Sequence, residues 1–217
     1  MESKVRLEPN EARVLGVLIE KELTTPDQYP LSVNATTAGC NQKSNRSPVM
    51  MLSETEVQMQ LDKLVVLGLA GRVYPATSRV ERFMHNTCAV LDISTHQAAI
   101  LAELMMRGPQ SRGDLRTRVH RMGPVPTLEA LAAHLDPLLK RELVKRIPPA
   151  AGSRVERFAQ QLAPDSQGVQ PSAAPSTGGP AAALASPSQL QDLIARVSKL
   201  ENQLATLSEK LGEPLED

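Results

Sequence analysis

A five-residue run occurs twice in this chain, first as Arg79, Val80, Glu81, Arg82 and Phe83 and again as Arg154, Val155, Glu156, Arg157 and Phe158. Upstream, Leu61, Asp62 and Leu64 recur as Leu135, Asp136 and Leu138 at nearly the same offset. Shared composition does not produce ordered identities of this kind. The fold must therefore contain one order of elements twice.

The periodicity inside each copy gives those elements. Val57, Leu61, Leu64 and Val65 match Leu131, Leu135, Leu138 and Leu139, each set spaced i, i+4, i+7, i+8, which is one apolar face of a helix. Ser53 and Thr127 stand where N-caps belong, and Ser53 with Glu56 has the spacing of a capping box. Pro137 inside the second copy predicts a kink or an altered helix start. Each repeat opens on an apolar helix, with Val14, Leu15, Val17, Leu18 and Ile19 in the first and Ala98, Ile100, Leu101, Leu104 and Met105 in the second. A short second helix follows, predicted through Leu31, Ala35 and Ala38 with Asp27 as cap, and through Leu115, Val119 and Met122 with Ser111 as cap.

After the third helix come two strand-like runs per repeat, residues 70–74 with 79–84 and 144–147 with 154–159, separated by turn residues. Three helices and a hairpin make a winged helix, whose third helix is the usual DNA-reading element. The fold class expected is mainly α with small β-hairpin wings (α+β), as two tandem winged-helix domains over residues 1–90 and 91–163. Helix two aligns at an offset of 84 and helix three at 74, so ten extra residues are expected in the first repeat within residues 41–52. The polar run Asn41 to Pro48 there predicts an exposed loop, with Lys43, Asn45 and Arg46 as candidate contacts. A packing element between the domains is the competing reading.

Residues 164–187 are rich in Ala, Pro, Ser and Gly and read as a disordered linker. Residues 188–212 then carry Leu190, Leu193, Val197, Leu200, Leu204, Leu207 and Leu211 at alternating spacings of three and four. That seam predicts a coiled-coil helix and a parallel homodimer, with folding back onto the domains as the competing arrangement.

The opening Glu11, Ala12, Arg13, Val14, the run Thr25 to Asn34 and the loop Cys40 to Val49 together resemble the bacterial YceH family. Within the loop, Cys40, Asn41, Gln42, Lys43, Asn45, Arg46, Pro48 and Val49 are the most specific part. The resemblance implies a tandem winged-helix fold and carries no activity with it.

Charge narrows the partners. The chain has 24 basic and 24 acidic residues, but residues 1–90, 91–163 and 164–217 carry 0, +4 and −4. An anionic partner is expected to meet the second repeat first. Its candidate contacts are Arg112, Arg116, Arg118 and Arg121 on the second helix, with Arg79, Arg82, Arg154 and Arg157 on the wings. A solvated basic face, and an ion pair of Arg79 with Glu81 within the hairpin, are the plainer explanations. The third helices offer Glu54, Glu56, Asp62, Glu129 and Asp136, which suit base reading poorly. At 2% aromatic residues, single-strand or RNA binding is disfavoured.

His85, His96, His120 and His134 are dispersed, and His85 with Cys88 provides too few ligands for structural zinc. No phosphate-binding glycine loop or nucleophile elbow is present, so no catalytic or metal residues and no cofactor are expected. Two cysteines and no apolar leader or spanning stretch suit a soluble, cytoplasmic protein without membrane contact. Two functions from different classes remain, a DNA-binding regulator and a protein-interaction scaffold. The basic second repeat places DNA slightly ahead.

Overall fold

The computed structural model describes residues 5–75, 80–149 and 155–164. These form a mainly helical α+β structure with two small antiparallel hairpins. Helices α1 (Pro9–Thr24), α2 (Val33–Cys40) and α3 (Glu54–Val66) precede strands β1 (Ala70–Val73) and β2 (Arg82–His85). After the short α4 (Thr87–Leu91) the order recurs as α5 (Thr95–Arg107), α6 (Arg112–Val119), α7 (Leu128–Lys140), β3 (Val144–Ile147) and β4 (Arg157–Gln160). Residues 188–212, where the heptad seam falls, lie outside the described residues, as do Arg79 and Arg154.

The duplicated faces form the core. Val57, Leu61 and Leu64 of α3 and Leu131, Leu135 and Leu138 of α7 are fully buried. Ser53 accepts from the Glu56 amide while Glu56 accepts from the Ser53 amide, closing the predicted capping box, and Thr127 caps α7. In each hairpin the repeated phenylalanine faces an arginine across the ladder, Phe83 opposite Arg72 and Phe158 opposite Arg146. Both phenylalanines are buried, and each also pairs with the residue just before the second helix's cap, as Leu31 with Phe83 and Gln110 with Phe158.

That extra bridge corrects the second helix. Leu31 is extended, and the cap of α2 is Ser32, whose hydroxyl accepts from the Ala35 amide, not Asp27, which lies in a 3-10 turn at Pro26–Gln28. With α2 starting at Val33 and α6 at Arg112, the second helices are offset by 79, so only about half of the ten extra residues lie between helices two and three. The remainder precedes α2. The wing strands β2 and β4 also begin three residues later than predicted, at Arg82 and Arg157. Pro137 neither breaks nor restarts α7, which runs as one helix to Lys140. It sits in the last turn, and Ala133, whose carbonyl loses a donor, is exposed to water.

The two repeats do not stand apart. The described residues of both belong to one compact unit, Met1–Pro171, and its central packing is α1 against α5. Gly16 permits that crossing: a Cβ there would lie 3.1 Å from Met106 Cγ, 3.3 Å from the Ala102 carbonyl oxygen and 3.3 Å from Met105 Cβ. No helix among the described residues is long and apolar enough to cross a membrane.

Candidate functional site

The polar loop after α2 is an anchored structure. Asn41 donates to the Leu52 carbonyl and accepts from the Leu52 amide, both at 2.8 Å, closing the loop at its base. Arg46 is buried, contrary to the expectation of an exposed contact. Its guanidinium forms a fork on Glu20 of α1, with Nη2 2.5 Å from Oε2 and Nη1 3.3 Å from Oε1, and its Nε donates to the Gly39 carbonyl. The side chains of Arg46 and Glu20 are 0% and 2% exposed, so this is an interior ion pair. Burial alone would raise the Glu20 carboxyl, but hydrogen bonds and charge from Arg46 and Arg121 outweigh it and hold the group below the ordinary carboxylate value.

The second repeat enters the same cluster. Arg121, just beyond α6, places Nη1 2.6 Å from Glu20 Oε1 and Nη2 3.3 Å from Glu103 Oε2 on α5. Arg107 Nε lies 2.9 Å from Glu103 Oε1, and its Nη2 donates to the side chain of Asn45 in the loop. The Ser47 amide donates to the Met106 carbonyl at 2.9 Å. Arg13, fully buried on α1, donates to the carbonyls of Cys40, Pro48 and Met106. Loop, α1, α5 and α6 thus meet in one polar joint. Burial pushes the adjacent Cys40 thiol up to about 12, which leaves it unreactive.

The other candidate arginines are also engaged within the chain. Arg112 lies over the Phe158 ring at 5.4 Å, Arg116 donates to the Pro126 carbonyl, and Arg118 donates to Gln110 at 2.6 Å with Asp114 3.8 Å away. Arg82 donates to the Pro30 carbonyl. Of the loop candidates, Lys43 and Asn45 are exposed.

The same residue pairs join the third helix and wing in both repeats, more closely in the first. Arg72 on β1 bridges Asp62 of α3 at 2.5 Å and Glu81 at 3.5 Å, and Arg146 on β3 bridges Asp136 at 4.0 Å and Glu156 at 3.9 Å. The recurring glutamate thus pairs with an arginine across the hairpin, while Arg79 and Arg154, two residues before it, lie outside the described residues. These pairs are solvent-exposed and contribute at most about 1 kcal/mol each. Arg72 and Arg146 stand at the same offset as Asp62 and Asp136, so the duplication itself contained this signal.

The same elements also expose apolar side chains. Most of the large exposed hydrophobic side chains lie on the third helices, the loop leading into α3 and the wings: Met51, Met59, Val66, Tyr74, Leu128 and Val155 among them, with Val66 at 87% and Met51 at 93%. The histidines make internal contacts. His85 Nε2 lies 2.5 Å from Glu22 while its Nδ1 accepts from the Thr87 amide, and His96 stacks on His134 with ring centroids 4.7 Å apart. Among the described residues, no group of three or more His, Cys, Asp or Glu is placed to hold a metal ion.

Fold and joint together define a class: a mainly helical α+β protein in which two copies of a three-helix-and-hairpin unit are fused through their first helices and a buried ion cluster. Comparison with known proteins narrows this. Residues 7–153 match the family described as "Protein of unknown function, DUF480". A UPF0502 protein of Burkholderia pseudomallei (strain 668) is 45% identical over 203 residues, covering 93% of this chain and 84% of the relative. A UPF0502 protein of Shewanella halifaxensis is 40% identical over 214 residues, covering 95% and 97%. The chain belongs to this DUF480/UPF0502 family.

Proposed function

We propose that the chain is a tandem winged-helix protein that acts without catalysis, as a homodimer through residues 188–212, by presenting its third helices and wings to another protein. The observation that carries this reading is the concentration of exposed apolar side chains on those elements, above all Met59, Val66 and Tyr74. A DNA-reading surface needs cations and hydrogen-bond donors there. Here Glu54 and Glu56 occupy the first turn of α3 and Glu129 that of α7, and the clamping arginines Arg72 and Arg146 are neutralised by carboxylates of the same repeat. Exposed large apolar side chains gathered on one set of elements instead suit a protein interface.

A photoreactive amino acid placed at position 59 or 66 of the full chain, expressed in cells, should crosslink to a discrete protein. Placement at the exposed Thr117 of α6 should not. Adding Glu at the other of the two positions should reduce the adduct about tenfold or more, as loss of a buried apolar anchor does, and should change stability by no more than about 0.5 kcal/mol. Adducts to DNA from these positions, or none to protein, would refute the reading.

A further inference from the structure

The ion cluster at the joint is not balanced in charge. Four guanidinium groups, those of Arg13, Arg46, Arg107 and Arg121, share the joint with only two carboxylates, those of Glu20 and Glu103. Arg13 has carbonyl oxygens as its partners, at 2.8 to 3.3 Å, and carbonyls orient a cation without neutralising it. Arg118 adds a further cation beside the cluster and is offset by Asp114 at 3.8 Å. Two positive charges in excess therefore sit where burial weakens solvent screening. Burial holds Arg107 below the ordinary arginine value; Glu103 opposes this, and the charges of Arg118, Arg121 and Arg46 add to it.

Three arginines at the joint reach solvent. The side chains of Arg107, Arg118 and Arg121 are 20%, 29% and 31% exposed, whereas Arg46 is closed off. Donors remain on two of them and on Asn45. Among the described residues, Arg107 Nη1, Arg121 Nε and the amide nitrogen of Asn45 make no hydrogen bond. These groups come from three separate segments, α5, the end of α6 and the loop, so they approach from different directions. A planar carboxylate takes its donors within one plane, its two oxygens matching a guanidinium fork such as that of Arg46 on Glu20. A tetrahedral dianion uses donors from several directions and matches the excess of two charges.

From this juxtaposition we propose that the joint is an oxyanion site for a phosphate dianion, free or as a phosphomonoester, held by Arg107, Arg118, Arg121 and Asn45. Occupation would neutralise the joint and tighten the contact of the loop with α5 and α6. The site takes its residues from α5, α6 and the loop and none from the third helices or wings, so its test is independent of the protein-partner reading.

Calorimetric titration of the full-length protein with inorganic phosphate, at an ionic strength held constant with chloride, tests this. Saturable binding at one site per chain is expected. Arg107→Lys keeps the charge and loses the planar fork, so its dissociation constant should rise about tenfold or more, a change of about 1.4 kcal/mol. Arg118→Gln alters a partly exposed side chain outside the buried pairs and should weaken binding comparably, which keeps the test decisive if Arg107→Lys does not fold. A parallel titration with glycerol phosphate distinguishes the sources: tighter binding than phosphate assigns the site to a phosphomonoester, equal or weaker binding to the free ion. No saturable binding of either compound, or unchanged binding in both variants, overturns the proposal.

Discussion

Glu20→Gln should lower the stability of the protein by about 3–5 kcal/mol, because it strips the carboxylate from Arg46, which cannot be rehydrated without opening the joint, and from the partly exposed Arg121. Arg46 has no exposed side-chain surface, and Arg121 reaches Glu20 from the other repeat. For a chain of this size the loss corresponds to roughly 10 °C in Tm. Thermal unfolding of the wild type and the variant checks it. The double substitution Glu20→Met with Arg46→Met should cost clearly less than the sum of the two single changes, since neither then leaves its partner charge buried alone. The sign of the pH dependence follows. The Glu20 carboxyl is held below its ordinary value in the folded protein, so its contribution is present above the unfolded carboxyl's value of about 4.3 and is lost as the pH falls through the folded value. The variant should lack this part of the acid transition. A loss under about 1 kcal/mol, the range of exposed pairs, would show that the joint is not an interior ion cluster.

Gly16→Leu should be as damaging by a different route. The Ala102 carbonyl, 3.3 Å from where a Cβ would stand, belongs to the backbone of α5 and cannot rotate away, while the Met106 side chain at 3.1 Å can. Gly16→Ala forces a shift of a few tenths of an ångström and regains about 1 kcal/mol of helix propensity, so its net effect should be small. Leucine adds three further carbons at the crossing of α1 and α5 and must separate the helices, at a cost of about 3 kcal/mol or more. The loop should loosen with it, because Ser47 and Arg13 are both anchored to the Met106 carbonyl. Faster amide exchange at Ser47 in the leucine variant would register that coupling. Equal stabilities for the alanine and leucine variants would mean that the close crossing carries no energetic weight.

What the sequence made legible was local or repeated. The buried faces of α3 and α7, the caps Ser53, Ser111 and Thr127 and the start of β3 at Val144 all follow from periodicity and duplication. The cap of α2 is hidden from local rules because Leu31, apolar and at helical spacing, is held extended by Phe83, a pairing across 52 positions. The joint was illegible for the same reason. Arg46 meets Glu20 across 26 positions and Arg121 meets it across 101, so a loop arginine and a helix arginine that looked like surface cations are consumed within the fold. Arg13, Arg107, Glu20 and Glu103 lie on helices whose apolar periodicity carries no information about their polar partners. Arg112, Arg116 and Arg118 were legible as a basic helix, but not their partners in Phe158, Pro126 and Gln110. Arg79, Arg154 and the heptad leucines lie outside the described residues, and the homodimer stays a proposal.

The protein-facing reading is tested most directly against its DNA-facing rival by fluorescence anisotropy of a generic labelled duplex titrated with the full-length protein across a range of salt. Acidic third helices and internally engaged arginines predict no saturation at physiological salt below about 100 micromolar protein, the weak end of non-specific DNA binding. Micromolar binding whose logarithm falls steeply with the logarithm of salt concentration, and which weakens when Arg112, Arg116 and Arg118 are changed to Ala, would contradict it and place a phosphate backbone on the second repeat.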